Sequence, residues 1–252
     1  MDISRKKRII VSCGAFAVIC GSLWAGDILG AAAQERVTGA SADRGMERPQ
    51  VVLDPGHGGA DGGCVSVNGA AEKGINLDIA LTERDMLEIM GYEVTMTRED
   101  DRSIYDEGTE GLSKQKQSDM KNRLALFDSC GGIALSIHQN QFTDSRYSGA
   151  QVFYSRRNSE GGRLAEAVQR QFVSLLQPDN ERETKAVDDE LYLLDKTETP
   201  AVMVECGFLS NPRESALLRS ESYQTRLALC IACACAEYTK EWEKEYGQGI
   251  KG

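Results

Sequence analysis

The sequence predicts a single α/β domain whose largely parallel central sheet carries helices on both faces. Two observations point there. Short apolar runs alternate along the chain with stretches of helical period, the pattern of strands joined by crossover helices. A chain of 252 residues with 41% hydrophobic side chains also has material for one well-buried domain but not for two large ones. In order, Val51-Val52-Leu53 form a first strand ahead of a glycine-rich loop. Ile75, Ile79, Met86 and Met90 fall on one helical face, and Gly91 is a stop signal. Residues 92–97 read as a strand, and 114–128 as a helix with Met120, Leu124 and Phe127 on one side. Residues 133–137 and 150–154 read as strands, 163–176 as a helix and 201–204 as another strand. A long helix then runs through Trp242. There is no internal repeat and no low-complexity tract.

The ends of the chain read differently. Arg5-Lys6-Lys7-Arg8 precede an uncharged apolar run from Ile9 to Gly26, and Ala31-Ala32-Ala33 offer small residues to a signal peptidase. Residues 1–33 therefore fit an export signal or a membrane anchor, and the length of the run does not choose between them. Residues 34–48 are polar and aperiodic, a linker. The folded domain is expected over 49–245, followed by a short tail, 246–252. Removing residues 1–33 takes away four basic and two acidic side chains, so the net charge falls from −10 to −12. So acidic a domain has no electrostatic reason to track nucleic acid. Membrane contact is expected through the N-terminal segment only, and the rest of the chain outside the cytoplasm.

Cys230, Cys233 and Cys235 look like a metal cluster on paper. On a helix, however, Cys233 and Cys235 point away from Cys230 on opposite sides, at about 60° and 140°. Thiolates so arranged cannot meet at one ion, and small apolar fillers of a helix interface are the better reading.

The chain has two histidines, His57 and His138, each after an apolar strand in VVLDPGH and IALSIH. A third strand, AVMVE, ends on Glu205. Ligands of open α/β sheets bind beyond the carboxyl ends of the strands, so His, His and Glu arrive at one rim. A lone histidine after a strand is more often structural; two of them plus a carboxylate shift that balance. The PGHGGADGG loop around His57 is richer in glycine than a plain turn requires, as close approach of a substrate would demand. A catalytic zinc site takes three protein ligands and keeps one position open. Glu72, in AAEKGINLDIA just before the helix expected near Ile75, is the best third ligand, although a glutamate at such a spacing is by itself more often solvated. Glu205 is then left as the proton shuttle. Asp54 and Asn140 are candidates to orient a ligand from behind. Arg98, in MTRED, reads as a helix cap sooner than as a substrate contact.

The set DPGHGGADGG, EKGINLDIA, SIHQNQF and VMVECGFLSNPRE resembles the zinc-dependent N-acetylmuramoyl-L-alanine amidase family. The match spans residues 50 to about 240, with four motifs in the family's order. It implies one zinc ion per chain held by His57, Glu72 and His138, with Glu205 as the catalytic carboxylate. It also implies a peptidoglycan substrate, a glycan strand bearing stem peptides. SIHQNQF, SGAQVFY and DNERETKAVDDELYLL further resemble the germination-specific sporulation branch. That branch strips stem peptides from muramic acid so that muramic δ-lactam can form in spore cortex. One departure is NRLALFDSCGG, where many relatives carry Ala-Asn near the helix end; it bears on helix packing and not on the metal site. No added wall-binding repeat is visible, so substrate capture falls to the domain itself, an anchor or a partner. An accessory activator protein is compatible with the sequence, though no motif marks one. Two rival readings are a metallopeptidase cutting within the stem peptide and a non-catalytic wall-binding or regulatory protein on an amidase scaffold. The second of these usually loses a ligand or the catalytic carboxylate, and all four residues stand here.

Overall fold

The computed structural model describes residues 48–246. The expected export segment, linker and tail lie outside the described residues, save their boundary positions Arg48 and Tyr246. Six strands form one sheet: β1 (Gln50–Pro55), β2 (Glu93–Met96), β3 (Ile133–Asn140), β4 (Gln151–Ser155), β5 (Lys185–Val187) and β6 (Ala201–Phe208), in the spatial order β2-β1-β3-β6-β4-β5. All neighbouring pairs are parallel except β4 with β6. The helices are α1 (Glu72–Ile89), α2 (Leu112–Asp128), α3 (Ser159–Leu175), α4 (Tyr192–Lys196), α5 (Pro212–Leu218) and α6 (Glu221–Tyr246). Among the described residues no helix is long and apolar enough to cross a membrane.

Strand side chains alternate between faces, and the two cores follow that alternation. Val51, Leu53, Leu135, Ile137, Val202 and Val204 turn to one face, against Ile79, Leu87, Leu164, Val168, Phe172, Leu227 and Ile231 of α1, α3 and α6. Val52, Ala134 and Ala201 turn to the other, against Phe127 of α2 and Leu193 and Leu194 of α4. Helices thus cover both faces, unequally. Cys230 and Cys235 are buried in the larger core as free thiols, as the filler reading expects.

Differences from the sequence reading sit at element ends and in short elements. β3 and β6 run on to Asn140 and Phe208, so His138 and Glu205 lie within strands and not after them. α1 starts at Glu72, earlier than the apolar period shows, since an acidic residue suits the positive end of the helix dipole. β5 and α4, three and five residues long, are too short for a periodic signal. α5, also absent from the sequence reading, carries a capping signal instead: Asn211 caps it by accepting from the backbone N–H groups of Arg213 and Glu214, with Pro212 in its first turn.

Candidate active site and metal centre

The sheet assembles one row of residues across four strands near the carboxyl ends of β1, β3 and β6. Beyond β1, the Gly56 N–H donates to Ile137 O at 3.0 Å, continuing the ladder. His138 is paired in register with Glu205, and Glu205 with Gln151 of the antiparallel β4. The row therefore reads Gly56, His138, Glu205, Gln151. By strand parity it lies on the more thinly covered face, the α2 side.

Glu72 comes to this row from the first turn of α1 and is only 1% exposed. Its Oε1 meets His138 Nδ1 at 3.0 Å and accepts from the Gln139 N–H at 3.0 Å and Asn76 Nδ2 at 3.2 Å. Its Oε2 accepts from the Cys64 N–H at 2.8 Å and lies 3.3 Å from His57 Nε2. Burial alone would raise this carboxyl, but hydrogen bonds and charge from both imidazoles outweigh it and hold Glu72 well below the usual carboxylate range. Ligand atoms of His57, Glu72 and His138 all lie within 4.8 Å of one another. Two imidazole nitrogens and a carboxylate oxygen so close together form a donor set that fits a divalent metal, zinc in particular.

The glycines of the His57 loop serve this cluster. A Cβ on Gly56 would overlap the His138 imidazole, and one on Gly63 would sit 2.5 Å from Glu72 Oε2. They make room for the ligands, where the sequence suggested room for a substrate. His57 itself has φ 64°, the left-handed region that side chains other than glycine rarely adopt. Its neighbours hold it there. Asp61 Oδ1 lies 3.1 Å from His57 Nδ1, leaving Nε2 toward Glu72. Burial would lower the His57 pKa; its bonds to Glu72 and Asp61 raise it overall.

Two buried arginines brace the same loop. Arg98 is no helix cap, contrary to its sequence reading. Its guanidinium donates to the carbonyls of Pro55 at 2.9 Å, Gly56 at 2.9 Å and Lys73 at 2.8 Å, tying the loop to the start of α1. Arg123 of α2 donates to Pro55 O at 3.1 Å and His57 O at 2.7 Å, and pairs with Asp54. Asp54 also accepts from Thr97 Oγ1 at 2.7 Å and Ser136 Oγ at 2.6 Å. It touches no ligand side chain and reaches His57 only through Arg123. No hydrogen bond joins Asn140 to the ligands; its carbonyl accepts from the Leu209 N–H. The residues behind the ligands are instead Asp61, Asn76 and Gln139. Asn76 bonds Glu72 and the Gly56 carbonyl, and Gln139 Nε2 donates to Asn76 Oδ1. Asn76 stands four residues after Glu72 and Asp61 four after His57, a spacing readable in sequence only once the ligand is known.

Glu205 stands beside the cluster with its Oε2 buried and without a hydrogen-bond partner. Burial, aided by the nearby Glu72 charge, pushes its pKa up to about 7 against the opposing pull of His138, His57 and Arg182. A free carboxylate of that pKa next to a His-Glu-His group is the equipment of a metal-dependent hydrolase.

Comparison with known proteins carries the assignment further. The family model for N-acetylmuramoyl-L-alanine amidase matches residues 51–237, and the chain belongs to that family. The germination-specific N-acetylmuramoyl-L-alanine amidase of Bacillus subtilis (strain 168) is 36% identical over 76% of this chain and 80% of that protein. Among solved structures, the CwlD amidase from Clostridioides difficile, in complex with the GerS lipoprotein, superposes with a TM-score of 0.74 at 36% identity. That match covers 77% of this chain and all of the other. An N-acetylmuramoyl-L-alanine amidase from Clostridium difficile 630 follows with a TM-score of 0.67 and 28% identity, over 77% of this chain and 98% of that one. The chain is thus an N-acetylmuramoyl-L-alanine amidase with a His57/Glu72/His138 candidate metal site.

Proposed function

We propose that this amidase holds one zinc ion per chain on His57, Glu72 and His138 and uses Glu205 as its catalytic carboxylate. The observation that carries the reading is the register pair of His138 with Glu205, which sets a free carboxylate against the ligand group. Zinc bound there supplies a Lewis acid that polarises a carbonyl and makes water acidic near neutral pH. The chain's own residues do the rest. Glu72 and the two imidazoles hold the charge, and the row bounded by Gly56 and Gln151 seats the amide between the muramic lactyl group and L-alanine. Glu205 takes the proton of the attacking water and passes it to the departing L-alanine nitrogen. The amide C–N bond breaks, leaving a lactyl carboxylate and a free amino terminus.

The setting is the cell wall outside the cytoplasm, with residues 1–33 as export signal or anchor and the catalytic domain over 49–245. Likeness to the germination-specific amidase supports a role in spore cortex, stripping stem peptides ahead of muramic δ-lactam formation. Likeness to an amidase solved with a lipoprotein supports an accessory protein partner. Mass spectrometry of defined muramoyl peptides after digestion tests the reaction. Free L-alanine amino termini are expected; shortened peptides with muramoyl-alanine intact would point to a metallopeptidase instead.

A further inference from the structure

Arg182 is a half-buried cation that forms no ion pair in a strongly acidic chain, although the carboxyls of Glu205 and Glu214 both feel its charge. Other half-buried or buried arginines pair with acids: Arg84 with Asp85 and Glu99, Arg123 with Asp54 and Asp119, Arg163 with Glu160 and Glu245. Arg98 gives its donors to carbonyls. Among the described residues no acid lies within ion-pair distance of Arg182. Only Nη2 has a protein partner, Gln151 Oε1, and Nε is buried without one.

The guanidinium is also held in place. Its carbon lies 5.0 Å from the centroid of the Phe208 ring, a cation–π stack. The Arg182 N–H donates to Asn180 Oδ1 at 3.0 Å, and Asn180 Nδ2 donates to Ala150 O at 2.9 Å, tying this turn to the start of β4. Gln151 is the register partner of Glu205, and Arg182 lies close enough to stabilise the negative charge on Glu205. Arg182 therefore occupies the end of the row away from the ligand group. In the reaction proposed above Glu205 hands its proton to the leaving nitrogen, which would set the departing peptide on the side of Glu205 away from the ligands, toward Gln151 and Arg182.

We infer that Arg182 is a specificity residue that binds a free carboxylate of the stem peptide, on the leaving side of the cleaved amide. The residue after L-alanine in such peptides is an acidic residue linked through its side chain, whose α-carboxyl is either free or capped as a carboxamide. Arg182 favours the free form, to which a fixed guanidinium gives charge-assisted bonds that a carboxamide does not match. This rests on the amidase reading above.

The test uses the zinc-loaded full chain and two muramoyl peptides that differ only in that carboxylate or carboxamide. The wild type is expected to favour the carboxylate by about 10- to 100-fold in kcat/KM, mostly through KM, the size of one charge-assisted contact. In Arg182→Gln the ratio collapses toward one because the carboxylate substrate falls, and Arg182→Lys restores part of it. Zinc content and thermal midpoint of each variant verify that the site and fold persist. A wild type indifferent to the cap overturns the inference while leaving the amidase intact. So does an Arg182→Gln variant that slows on both peptides alike, which would make the arginine only an electrostatic neighbour of Glu205. Cleavage of neither peptide at the lactyl amide would overturn the amidase reading and this one with it.

Discussion

Helix α1 carries two buried glutamates, Glu72 in its first turn and Glu83 eleven residues on, nearly on the same helical face. They are 1% and 0% exposed, so burial does not distinguish them. Their surroundings do. Glu72 meets two imidazoles, an Asn76 amide and the backbone N–H groups of Cys64 and Gln139 at the positive end of the helix dipole. Glu83 lies inside the helix with neither carboxyl oxygen hydrogen-bonded, and burial pushes its pKa well above the usual value. The first is an anion built for a cation; the second is a neutral acid folded into the core. A buried charge stays charged only where hydrogen bonds and opposite charge replace water.

Exchanging each carboxylate for its amide tests that contrast. Glu72→Gln keeps the shape but removes the anion, and zinc affinity is expected to fall by at least about 100-fold, read from zinc titration of activity. Glu83→Gln leaves that titration where it was. Glu205→Gln asks whether the third carboxylate, beside the ligands but bonded to none of them, acts on protons and not on metal. Its rate on muramoyl peptides is expected to drop on the order of 10²–10⁴-fold with zinc retained. Arg123→Met strands buried Asp54 and frees the His57 carbonyl; denaturant unfolding should show a loss of about 3–5 kcal/mol.

The smallest effect is at Glu83, and its size depends on pH. Below about pH 4.5 Glu83 is protonated in both folded and unfolded chains. Above that, the unfolded chain ionises first, so stability drains away until pH reaches the raised folded-state value. Glu83→Gln removes this term. Its melting midpoint should exceed the wild type by about 2–4 °C at pH 8 and match it near pH 4. An equal shift at both pH values would mean that Glu83 is not held neutral.

Legibility in the sequence followed the range of the interactions. The main strands and long helices show in apolar spacing because burial imposes it residue by residue. His57, His138 and Glu205 stand out because histidine is scarce here and each closes an apolar run. Glu72 needed more, since its spacing alone also suits a solvated residue; the family resemblance singled it out. Arg98 and Arg123 were not legible as loop braces, because each meets the Pro55–His57 backbone from a distant element. The end of β3 was missed because polar His138, Gln139 and Asn140 continue the ladder past the apolar stretch, and that of β6 because Glu205 and Gly207 interrupt its apolar run. Glu83 gave no signal at all: an acid on the buried face of α1 looks like any surface glutamate until α6 packs over it.

The central claim is that His57, Glu72 and His138 share one metal ion, and elemental analysis of the purified chain tests it directly. The wild type is predicted to hold one zinc per chain and His138→Ala far less, with both proteins folded by circular dichroism. A His138→Ala protein that still carried stoichiometric zinc would contradict the account.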